Sequence, residues 1–210
     1  MSAIGNTPRG WLMSIWVLVL TSAASVIQAG MVDKTGMKPW EICAMCHGLD
    51  GVSAMDRFPI LAGQKASYIR KQLDDFSRDA RDNDGGQMSA MVTEIEPGDV
   101  DAIVHYFAAQ IPPLPVPVVN RAEYERGEQL YLGGDGNTRA CIGCHGNTDS
   151  AAPWLQAQHR RYLQKQLLDF RSGARGNDDG VMVRIAGQLR DRDIDALAEY
   201  LSSASRPQSH

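Results

Sequence analysis

The sequence predicts an all-α protein made of two tandem copies of one small helical domain. Three observations carry this. Residues 59–107 moved forward by 94 fall on 153–201 without a gap, with 19 of 49 positions identical, a fixed period that marks a repeat. Within the repeat, apolar residues recur at helical spacing. Between the copies, Pro112, Pro113, Pro115 and Pro117 stop regular structure in an extended, semi-rigid segment. The reading in order is a leader at 1–30, a first domain at 31–110, a linker at 111–120 and a second domain at 121–210.

The leader shows Arg9, an apolar run from Trp11 to Leu20, then the small residues Thr21 to Ser25, with possible cuts after Ala24 or Ala29. That is the pattern of an export signal peptide. No charge stands between Arg9 and Asp33, so the stretch is also long enough to span a bilayer. Residues 1–30 therefore read as a signal peptide or an anchor helix, with membrane association through 11–29 in the second case.

In the first copy a helix is expected over Tyr68 to Phe76. Tyr68, Ile69, Leu73 and Phe76 or Gln72 recur at helical spacing, with Arg70, Lys71, Asp74 and Asp75 on the other face. A turn-rich segment, Asp79 to Gly86, leads to Met88. Asp99 then opens a second amphipathic helix, Val100 to Ala109, acidic at its start as a helix N-terminus prefers. Tyr68, Lys71-Gln72-Leu73, Asp75-Phe76, Ala80-Arg81, Asn83-Asp84 and Met88 all recur 94 residues later.

The chemistry lies in Cys43-Ala44-Met45-Cys46-His47 and Cys141-Ile142-Gly143-Cys144-His145. C-x-x-C-H is the attachment signature of c-type haem. Thiols at i and i+3 share a helical face and can reach two vinyl groups on one porphyrin edge. The following histidine then lies under the iron as proximal ligand. The motifs use all four cysteines. Zinc ribbons place their pairs roughly 15–20 residues apart, whereas these begin 98 apart and each is followed by His. Two covalently bound haem c groups, with iron held by His47 and His145, are the expected cofactors. Thioether attachment is extracytoplasmic chemistry and agrees with an export signal.

A low-spin carrier haem needs a second axial ligand, usually Met or His. Met182 is the single methionine of the second copy, whose spare histidines are His159 and His210. Met182 is thus the candidate, and the 94-residue offset carries the role to Met88, both in glycine-rich loops. A lone methionine is more often core filler, but these two coincide in the repeat. His105 and His159 read as ordinary surface or helix residues. The Asp82-Asn83-Asp84 and Asn177-Asp178-Asp179 clusters lack calcium-loop spacing and read as turns. A carbonyl near Pro59 or Pro153 is a candidate acceptor for the other ring nitrogen of each proximal histidine. Tyr68 and Tyr162 read as core or pocket wall.

These residues resemble the dihaem cytochrome c4 family: two C-x-x-C-H domains, P-x-L-x-x-Q after each, Y-x-x-K-Q-L-x-D-F on the next helix and a loop methionine. The resemblance covers about residues 38–203. It implies two class I cytochrome c folds packed face to face, with haem propionates near the interface. It also implies a periplasmic or membrane-attached carrier, delivering electrons to a terminal oxidase, often of the cbb3 type, from a bc1-type donor. The family methionine lies seven residues before a hydrophobic residue; Met88 before Ile95 and Met182 before Leu189 fit. The second copy has Pro153-Trp154-Leu155-Gln156-Ala157-Gln158 where the family has F-P-x-L-x-G-Q, which implies different packing of its haem edge. The first copy has little helix before Cys43, because Pro39 interrupts a lead that is longer in the family, and the second keeps its lead, Arg126 to Tyr131.

Composition bounds the function. Hydrophobic content of 43% and charged content of 22% are ordinary for a globular protein. A net charge of −4 argues against nucleic acid. Residues 31–110 hold 8 Lys/Arg and 13 Asp/Glu, and residues 111–210 hold 12 of each, a dipole suited to oriented encounters with redox proteins. An electron carrier is the leading reading. The alternative is the dihaem subunit of a sulfide or alcohol dehydrogenase. A dihaem peroxidase would need an open iron position, against which the paired methionines argue.

Overall fold

The computed structural model describes residues 32–207. The leader at 1–30 and His210 lie outside the described residues. Among the described residues every regular element is helical, and no helix is long and apolar enough to cross a membrane.

The first lobe contains α1 (Glu41–His47), α2 (Ala66–Ser77), α3 (Gln87–Val92), a 3₁₀ turn (Pro97–Asp99) and α4 (Val100–Ala108). In α1 the Glu41 carboxylate accepts the Lys38 N–H at 2.8 Å, and Gly48, at φ 79°, ends the helix directly after the haem motif. Along α2, Ile69, Leu73 and Phe76 are buried. The first two meet Ile103, Val104 and Phe107 of α4 in one cluster, joined by Trp40, Cys43 and Met88. Burying each such side chain contributes roughly 1.5–3 kcal/mol.

The second lobe contains α5 (Arg121–Gly133), α6 (Ile142–His145), α7 (Arg160–Ser172), α8 (Val181–Ala186) and α9 (Asp191–Ser202). Asn120 caps α5 by accepting the Glu123 N–H at 3.2 Å. Helices α5 and α9 cross so closely that a Cβ at Gly127 would lie 2.0 Å from the Ala196 carbonyl oxygen. Leu130, Tyr131, Leu163, Ile194, Leu197 and Leu201 fill the core between α5, α7 and α9.

The proline segment is pinned to the second lobe. Val119 and Asn120 donate their N–H groups to Glu199 Oε1 at 2.6 and 3.0 Å, and Glu199, 2% exposed, pairs with Arg160 at 2.7 Å. One expectation needs correction. Met88 and Met182 are not in loops; each is the second residue of a short helix, α3 or α8. Gly86 (φ 81°) and Gly180 (φ 72°) take the left-handed conformation at the N-caps, and the Asp84 and Asp178 carboxylates accept the methionine N–H at 2.6 and 2.8 Å. The aspartates of the turn clusters thus start the methionine helices.

Candidate functional site

Helix α1 carries Cys43, Cys46 and His47 on one turn; Cys141 is the N-cap of α6, which holds Cys144 and His145. His47 and His145 are 5% and 7% exposed. Each imidazole turns Nδ1 to a proline carbonyl, His47 to Pro59 at 2.9 Å and His145 to Pro153 at 2.8 Å. A carbonyl can only accept, so Nδ1 carries the proton and Nε2 keeps its lone pair. Burial holds both imidazoles below the ordinary histidine value, against the proline hydrogen bonds. Neutral imidazole is the form that binds metal. Burial and the neighbouring Cys46 push the Cys43 thiol up to about 11, and burial pushes Cys141 up to about 11. They are therefore poor thiolates at neutral pH. Neutral imidazoles with a free Nε2, beside paired thiols, fit covalent haem.

Met88 packs on the same cluster as Cys43, and Met182 is half-buried on α8. Tyr68 and Tyr162 are half-buried at the contact between the lobes. Arg175 Nη2 donates to the Tyr68 hydroxyl at 3.0 Å, and Arg81 Nη2 to the Tyr162 hydroxyl at 3.2 Å. Burial favours the neutral Tyr68 phenol, but Arg175 and Arg81 outweigh it and bring its pKa below the ordinary tyrosine value.

The lobe interface repeats itself under the 94-residue offset. Arg81 donates to Gln72 of its own lobe at 2.7 Å and to Gln166 of the other at 3.2 Å; Arg175 donates to Gln166 at 2.6 Å and to Gln72 at 3.0 Å. Each guanidinium also stacks on its own lobe's phenylalanine, Arg81 on Phe76 at 4.6 Å and Arg175 on Phe170 at 4.5 Å. Such reciprocal contacts are those of a two-fold interface, here within one chain.

Three features escape the sequence reading. His159, read as an ordinary surface or helix residue, is half-buried at the N-cap of α7: its Nε2 sits 2.8 Å from Ser53 Oγ and 3.0 Å from the Ser53 carbonyl of the other lobe. Lys65, its repeat counterpart, reaches the Ser150 carbonyl at 2.8 Å and lies over the Trp154 ring. Gln64 and Gln158, the closing glutamines of the two P-x-L-x-x-Q segments, hold the main chain across the interface. His105 is exposed on α4, as expected.

The sequence pattern of the family described as Cytochrome c matches residues 34–109 and again 124–205. Cytochrome c4 of Azotobacter vinelandii is 40% identical over 207 residues, covering 90% of this chain and 94% of that protein. This chain belongs to the cytochrome c4 family. The crystal structure of reduced recombinant cytochrome c4 from Pseudomonas stutzeri superposes with a TM-score of 0.71 at 32% identity, covering 84% of this chain and all of that one. The thiosulfate dehydrogenase electron acceptor of Stutzerimonas stutzeri is 34% identical, covering 80% of this chain and 81% of that protein. As a member of the family the chain carries two covalently bound haem c groups and is an electron-transfer cytochrome, not an enzyme.

Proposed function

We propose that Cys43 and Cys46 hold one haem and Cys141 and Cys144 the other, with His47 and His145 as proximal and Met88 and Met182 as distal iron ligands. One observation carries this reading: two buried neutral imidazoles, each tied through Nδ1 to a proline carbonyl and each directly after a C-x-x-C pair. Bound haem supplies reversible one-electron Fe(III)/Fe(II) chemistry at two centres. The chain fixes the imidazole tautomer through Pro59 and Pro153, and raises ligand basicity by the same bonds. Neutral methionine sulfur favours a high potential. Gln72, Arg81, Gln166 and Arg175 are buried between the lobes.

The protein works in the periplasm, between a bc1-type donor and a membrane oxidase, cbb3-type by family analogy, free or tethered through residues 11–29. A second reading, supported by the relative named as an electron acceptor of thiosulfate dehydrogenase, makes a dehydrogenase its donor.

A spectroelectrochemical titration that follows the far-red band of methionine-ligated ferric haem tests the ligand set. Two high-potential steps are expected, with part of the band lost in Met88→Ala and part in Met182→Ala. A band unaffected by either substitution would overturn it.

A further inference from the structure

The proline carbonyl that accepts from each proximal histidine belongs to a peptide unit gripped by the opposite lobe. Pro59 C=O and Ile60 N–H are the two ends of one planar peptide. The Ile60 N–H donates to Gln158 Oε1 at 2.8 Å, and Gln158 Nε2 donates to the Ile60 carbonyl at 3.0 Å. The reciprocal grip is complete: the Trp154 N–H donates to Gln64 Oε1 at 2.9 Å, and Gln64 Nε2 donates to the Trp154 carbonyl at 2.9 Å. Trp154 N–H closes the peptide whose carbonyl, Pro153, accepts from His145.

Each glutamine amide has one orientation. Gln158 Oε1 also accepts the His159 N–H at 3.0 Å, and Gln64 Oε1 the Lys65 N–H at 3.0 Å. Two donors converge on the oxygen, so the nitrogen must face the carbonyl. Gln64, Gln158, Ile60 and Trp154 are 3–7% exposed, and losing such a partner leaves buried main-chain groups unpaired. Because the peptide is rigid, turning its N–H turns its C=O, and with it the acceptor that orients the imidazole.

We propose that Gln158 and Gln64 are positioning residues that act across the interface, Gln158 setting the proximal imidazole of the first lobe and Gln64 that of the second. The inference rests on the proposed ligation of iron by His47 and His145. It makes each centre's properties depend on docking of the other lobe. Separation of the lobes, or a partner that shifts them, alters both proximal bonds together.

The test uses ferric holoprotein with ¹⁵N-labelled histidine, reading the hyperfine-shifted Nδ1–H of each proximal imidazole and its exchange with solvent. Gln158→Met and Gln64→Met keep side-chain length and remove the hydrogen bonds. Gln158→Met is expected to speed His47 Nδ1–H exchange by about tenfold or more and to leave His145 essentially unchanged; Gln64→Met does the reverse. Equal effects on both histidines, or an effect confined to the variant's own lobe, would overturn the crossed arrangement. If the variants do not fold, backbone exchange in the unaltered protein decides. Ile60 and Trp154 amides protected like those of Leu73 and Ile103 support the grip, and loop-like exchange there refutes it. A wild-type spectrum with no hyperfine shift at His47 or His145 sinks the ligation reading before any variant is made.

Discussion

Arg175 of the second lobe donates Nη2–H to the Tyr68 hydroxyl of the first at 3.0 Å, and Arg81 mirrors it onto Tyr162. Among the described residues, neither guanidinium has a carboxylate among its hydrogen-bond acceptors, which are glutamine, asparagine and tyrosine oxygens. A charged donor to a neutral acceptor is worth about 1.5–3 kcal/mol. Tyr68→Phe should lower stability by about that amount. A double-mutant cycle with Arg175→Met, followed by denaturant unfolding, should show coupling of about 0.5 kcal/mol or more. No coupling would mean that the contact does not hold the lobes.

The second lobe should lose stability in acid through Asp193. Burial would raise this carboxyl, but hydrogen bonds from Arg190 and Arg126 hold it down at about 2. A folded-state pKa below the unfolded value contributes stability above the unfolded pKa, and that contribution fades as pH falls from about 4 towards 2. Asp193→Asn should flatten the unfolding curve in this window. An unchanged pH profile would contradict the arrangement.

Gly63 and Ala157 occupy equivalent positions, both left-handed, at φ 64° and 49°. A Cβ at Gly63 would stand 2.5 Å from Pro112 Cγ, whereas Ala157 already accommodates one. Gly63→Ala should cost about 2 kcal/mol from overpacking and backbone strain. Ala157→Gly should stay within about 1 kcal/mol of the parent. Thermal or denaturant unfolding of the pair checks this asymmetry.

The carboxylates that start the methionine helices can be removed one at a time. Asp84→Ala and Asp178→Ala should each cost about 1 kcal/mol, as loss of a capping acceptor does. With Met88 and Met182 as the proposed iron ligands, the far-red methionine signature of the affected lobe should fade at a lower temperature than in the parent. Fading in both lobes at once would argue against a local role.

Much of the fold was legible locally. The 3.6-residue spacing of Ile69, Leu73 and Phe76 marks α2, observed over Ala66–Ser77, and the prolines after Ile111 mark the break before α5. The segments around Pro59 and Pro153 could be named as the source of the histidine acceptors because they stand shortly after the haem motif. The methionine helices were not legible, since six residues entered through a glycine carry too little periodicity. The contact of His159 with the other lobe was not legible because its partner, Ser53, lies 106 residues away.

The sequence by itself determined that there are two copies, that each brings two thiols and a histidine to one helical turn, and that the chain is of the cytochrome c4 type. Those signals are short-range, and side-chain spacing along a helix is set by its own geometry. Only the tertiary structure decided how the copies meet. The repeat shows that Gln64 and Gln158 are equivalent, but not that each closes on the other lobe's peptide. That pairing depends on two buried surfaces matching in space, where main-chain groups cut off from water must find partners wherever the fold brings them.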